Sequence, residues 1–149
     1  MPRGSGARAP GWVTAILKAV AEGQNAADGR DVSLTIPARP DYLVLARLAL
    51  SAVCRLTPLS AEEVADLKLA ITEAANDFVD DGRSLDDESR VNFNFRLLDD
   101  RLLMELDGPS SPVAEMEQEL SRAIIDATVD ECAFGDQHTR LVKYLAHAE

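Results

Sequence analysis

Apolar residues recur along this chain with two rhythms, and the switches between them outline its elements. Trp12, Val13, Ile16, Leu17 and Val20 repeat at helical spacing, Gly23 stops that segment, and Asn25 to Gly29 reads as a linker. Val32, Leu34 and Ile36 then alternate with polar neighbours, a strand pattern that Pro37 ends. Pro40 opens a helix to about Leu56 that is apolar on most sides and therefore substantially buried. Ser60 and Glu63 form a capping box that starts a second helix, running to about Val79. Asp80 to Arg90 is a charged loop. Val91, Phe93, Phe95 and Leu97 alternate next, Asp99 and Asp100 turn, and Leu102, Met104 and Leu106 alternate again, which predicts a hairpin. After a loop from Asp107 to Pro112 comes a long helix from about Val113 to Cys132, with Met116, Leu120, Ile124 and Val129 near one stripe. Phe134, Gly135 and Asp136 turn the chain, and His138 to Leu145 is a last strand. Paired helices and hairpin strands predict an α+β fold, a two-layer sandwich with a mixed, mostly antiparallel sheet and helices on one face.

Composition narrows the setting. A chain of 149 residues with 46 % hydrophobic content can fill one real core. No apolar run approaches the roughly 20 residues of a membrane helix, and Met1 to Pro10 reads as a mobile tail without the apolar stretch of a signal peptide. The expected location is cytoplasmic, with no membrane contact. A net charge of −11, from 26 acidic against 15 basic side chains, argues against direct nucleic-acid binding, which clustered Lys and Arg perform. Cys54 and Cys132 fall inside apolar helical patterns without metal-ligand spacing and read as buried thiols.

The candidate chemistry lies on the second helix. Glu73 and Asp77 are four residues apart on one helix face, with the amide of Asn76 beside them, while Ile71, Ala74, Ala75 and Phe78 point toward the core. Like charges at this spacing cost about 0.2–0.5 kcal/mol, so a divalent cation, or a nucleophile needing a base, would give the pair a purpose. A merely solvated acidic face is the plainer alternative.

The words Leu34-Thr35-Ile36-Pro37-Ala38, Leu45-Ala46-Arg47-Leu48-Ala49-Leu50-Ser51, Leu59-Ser60-Ala61-Glu62-Glu63 and Asp66-Leu67-Lys68-Leu69-Ala70-Ile71-Thr72-Glu73-Ala74 come in order. Together they resemble the anti-sigma-factor serine kinases of bacterial partner-switching systems, in the gyrase–histidine kinase–MutL ATPase superfamily. The resemblance covers roughly Val32 to Leu145 and is strongest up to Ala74. It implies a histidine-kinase-like ATPase domain over residues 30–149, preceded by a tail and an extra amphipathic helix over 1–29. It also implies Mg-ATP as cofactor, a sigma factor and an anti-anti-sigma protein as partners, a homodimer, and a role in transcription regulation during stress.

Residue by residue, the resemblance makes Glu73 the general base. Asp77 stands at the family's Mg²⁺-holding Asn position, with Asn76 one residue early. Asp107 matches the Asp that reads adenine, followed by Gly108, and Thr139 matches the Thr of a terminal Gly-Thr element. Arg47 falls where the family carries a partner-binding arginine. The nucleotide motifs are degenerate. Pro109 and Ser110 follow Gly108 where a second glycine is expected, and Met116 to Leu120 replaces the glycine pair ahead of the last helix. Two function classes follow: an ATP-dependent serine kinase that also binds sigma, or a non-enzymatic binding module on the same scaffold.

Overall fold

The computed structural model describes residues 30–79, 88–109 and 113–146. The sequence expectations for 1–29, and for 80–87 of the charged loop, lie outside them. Strand β1 spans Arg30–Pro37, helix α1 Leu43–Cys54, helix α2 Ala61–Ala75, strands β2 Arg90–Leu97 and β3 Arg101–Asp107, helix α3 Glu115–Thr128, and strands β4 Glu131–Phe134 and β5 His138–Tyr144. A 3₁₀ turn at Pro40–Tyr42 leads into α1. The five strands form one sheet in the order β1-β2-β3-β5-β4, and all of its ladders among the described residues are antiparallel. This is the α+β sandwich that the patterns predict, with the β2–β3 hairpin pairing Leu97 with Leu102 and Phe93 with Leu106.

Alternation decides what each strand buries. Leu34, Ile36, Val91, Phe93, Phe95, Met104, Leu106 and Leu141 turn to one face and join the core cluster with the helices. Helix α1 contributes seven buried side chains and α2 contributes five, whereas α3 contributes Ile125 alone. The capping box exists as read: Ser60 Oγ accepts from the Glu63 amide at 3.1 Å, and the Ser60 amide donates to Glu63 Oε1 at 2.9 Å. The opposite face of the sheet is mainly polar, with Ser33 donating to Asn94 and Thr35 to Asn92.

Two helix boundaries differ from expectation. Helix α2 stops at Ala75, after which Asp77 and Phe78 donate to Ala74 and Ala75, so the last turn tightens to i→i−3 bonding. Helix α3 ends at Thr128, and Glu131–Phe134 is a strand paired with β5, not the end of a helix and a turn. Val129 is already extended, at φ −120° and ψ 168°. A four-residue strand is too short for alternation to outweigh a helical stripe that runs into it. Met116 and Leu120, assigned to the inner stripe, are instead 80 % and 63 % exposed. Cys54 is buried, which pushes its thiol up to about 11, and Cys132 is only half-buried; both are free thiols.

Candidate functional site

The tail of α2 and the middle of α3 meet at the carboxylate pair. The packing of Ile71, Ala74, Ala75 and Phe78 into the core fixes how α2 is rotated. That rotation leaves Glu73 half-buried and facing α3, where its Oε1 accepts a hydrogen bond from Ser121 Oγ at 2.7 Å. Asp77 is also half-buried, and its Oδ1 is enclosed without a hydrogen-bond partner. Burial raises the Asp77 pKa, against the attraction of Arg122. Arg122 also lies over the Phe134 ring, 4.5 Å from its centre, which ties α3 to β4. Asn76, expected to join the two carboxylates, is instead the exposed C-cap of α2, one helical step round from them.

The other candidates fall elsewhere. Asp107, at the end of β3, bonds the Nδ1 of His138 at 2.6 Å on the polar face of the sheet, and Glu105 lies 3.4 Å from the Nε2 of the same ring. The two residues are cross-strand partners in the β3–β5 ladder. Gly108 approaches so closely that an added Cβ would stand 3.2 Å from the Arg90 carbonyl oxygen and 3.3 Å from Phe78. A larger residue there would have to move the Arg90 carbonyl or the Phe78 ring by a few tenths of an ångström. Thr139 is 1 % exposed on the inner face of β5, opposite Leu106 and Phe134. Arg47 is half-buried and its Nη1 donates to Thr72 Oγ1 at 3.3 Å, so its head group joins α1 to α2 instead of being freely solvated.

Mg-ATP does not fit this arrangement. The Glu73 carboxylate is engaged by α3, Asp107 is engaged by His138, and Gly108 is packed against Phe78. Glu115 and Glu117 occupy the first turn of α3, where an anion would otherwise be drawn. Among the described residues, no group of three or more His, Cys, Asp or Glu is placed to hold a metal ion. Mg²⁺ is ordinarily held by one or two carboxylates together with substrate phosphates and water, and the Asp77 oxygen that would serve is enclosed. Sequence reasoning had no means to find Ser121, Arg122 or the His138 contact. Ser121 carries no periodic signal, and the His138–Asp107 pair depends on a register between strands separated by a helix.

No family model matches the chain. The serine-protein kinase RsbW of Bacillus subtilis (strain 168) is 29 % identical over 106 residues, covering 70 % of this chain and 66 % of that protein. The RsbW of Oceanobacillus iheyensis is 26 % identical over 140 residues, covering 79 % of this chain and 89 % of its own length. The RsbW of Listeria monocytogenes serotype 4b (strain CLIP80459) is 29 % identical over 91 residues, covering 60 % of this chain and 58 % of that protein. The chain is thus similar to several serine-protein kinases named RsbW, at 26–29 % identity. In this chain the Glu73 carboxylate is bonded by Ser121, and the Asp77 oxygen is enclosed without a partner. No helix among the described residues is long and apolar enough to cross a membrane.

Proposed function

We propose that this chain is an anti-sigma-type regulator that acts by partner switching, holding a sigma factor or its anti-anti-sigma antagonist through surface contacts without using a nucleotide. The similarity to RsbW serine-protein kinases supports the regulatory class. The Ser121–Glu73 hydrogen bond carries the non-enzymatic part, because the residue matched to the general base already has a partner on α3.

Helix α1 is the contact surface in this reading. Val44 and Leu48 are 45 % and 51 % exposed, Leu56 follows just past the helix end, and Arg47 and Arg55 stand among them. An apolar strip edged by arginines suits an acidic amphipathic partner. The retained Glu73 favours a second reading, a residual Mg-ATP-dependent serine kinase. Purified sigma factors and antagonists of the host, titrated against the full chain with and without Mg-ATP, separate the two. The expected result is capture of one of them with an affinity that nucleotide leaves unchanged. Capture that needs Mg-ATP, or phosphoryl transfer to an antagonist, would establish the kinase reading. Binding to neither class would remove the regulatory reading altogether.

A further inference from the structure

Leu103 and Val142 are paired across β3 and β5 and are 8 % and 3 % exposed. Alternation places both on the face of the sheet that points away from the helices, because Leu102, Met104 and Leu141 beside them face inward. Neither belongs to the core cluster, whereas the buried side chains of all three helices do. Elsewhere this outer face is open: Ser33, Thr35, Arg96 and Arg140 on it are exposed. Near-complete burial of two aliphatic side chains on a bare sheet face requires a cover.

Topology names the covering segment. Leu103 and Val142 lie near the end of the sheet where β1 begins, since Arg30 pairs with Leu97 and Arg101 pairs with Tyr144. The residues ahead of Arg30 therefore arrive at the right end of the sheet. The loop 80–87 and residues 110–112 connect at the opposite end, next to Arg90 and Asp107. From β1 to β3 is two strand spacings, about 10 Å. The stretch from Gly23, where the helical pattern stops, to Gly29 reaches up to about 24 Å, well beyond that distance. Ahead of it stand Trp12, Val13, Ile16, Leu17 and Val20 at helical spacing, an apolar stripe that needs a surface.

We infer that the segment Trp12–Val20 of this chain docks across the outer face of the sheet, over Leu103 and Val142, as a third layer. The cover hides one side of β3 and β5 and leaves the α1 surface free for a partner.

Trp12 is the single tryptophan of the chain, so its emission reads the contact directly. In the full chain its emission is expected at short wavelength and protected from acrylamide, unchanged across a dilution series. Val142→Ser and Ile16→Glu are each expected to shift it to the long-wavelength emission of tryptophan in water. Ile16 lies outside the sheet, so Ile16→Glu keeps the test decisive even where Val142→Ser fails to fold. In Ile16→Glu the methyl resonances of Leu103 and Val142 are expected to move while those of Leu34, on the inner face, stay in place. Water-like emission from wild type overturns the inference, as do Leu103 and Val142 methyls that ignore Ile16→Glu. A blue shift lost on dilution also overturns it, by showing that the segment covers a second copy instead.

Discussion

Asp77 is the least comfortable side chain in the candidate site, because one of its oxygens is enclosed without a partner. Its raised pKa means that the folded state binds the proton more tightly than the unfolded chain does. Near neutral pH the folded carboxylate bears the full burial penalty. That penalty is relieved as pH falls through the raised value, and it is gone below the ordinary aspartate pKa of about 3.9. Asp77→Asn should therefore stabilise the protein by about 1 kcal/mol at pH 7, in spite of losing the attraction of Arg122. The gain over wild type should vanish by about pH 3; urea melts of both proteins across that range would show it, and a pH-independent difference would exclude burial as the cause. Ser121 has the opposite value to the fold. Ser121→Ala should cost about 1 kcal/mol in the same assay, since it deprives the half-buried Glu73 of its donor. An unchanged midpoint would mean that water replaces the hydroxyl at no cost.

Between elements, the Arg47 head group spans from α1 to Thr72 on α2. Arg47→Ala should lower stability by about 1 kcal/mol and also weaken partner capture, by about 1–3 kcal/mol. Thr72→Val removes the same hydrogen bond while keeping the arginine, so it should match the stability loss and leave capture intact. Equal capture by both variants would confine Arg47 to a structural role. Elements with local causes were legible from sequence: the capping box at Ser60, the alternation of β1 to β3, and the inward face of α2 at Ile71 and Ala74 all form as read. What escaped has non-local causes. Strand β4 exists because Cys132 and Phe134 find Leu141 and Thr139 across a hairpin. The Arg47–Thr72 contact escaped because no pattern along one helix reveals a hydroxyl on the next. Glu73 and Asp77 were legible as two acidic residues four apart near the end of α2. What faces them was set by the docking of α3, which no spacing within α2 encodes.

For the molecule as a whole, the internal partners of Glu73, Asp107 and Gly108 predict poor nucleotide binding. Calorimetric titration with Mg-ATP should give no saturation below the millimolar range, that is, less than about 4 kcal/mol of binding. Micromolar, Mg²⁺-dependent binding would require α3 to move away from α2 and expose the acidic pair. The burial of the helices bears on how easily that happens. Helix α3 buries Ile125 alone and is otherwise held by the Ser121 and Arg122 contacts, while α1 and α2 each send several side chains into the core. Free energies of local opening follow such differences, from near zero for poorly buried segments up to the global value. In native-state hydrogen exchange, the amides of α3 should thus exchange first among the helices, through openings that leave β2 and β3 protected. The same protein would then show two timescales, a slow one for the sheet with α1 and α2, and a fast one in which the acidic pair is repeatedly uncovered and closed again.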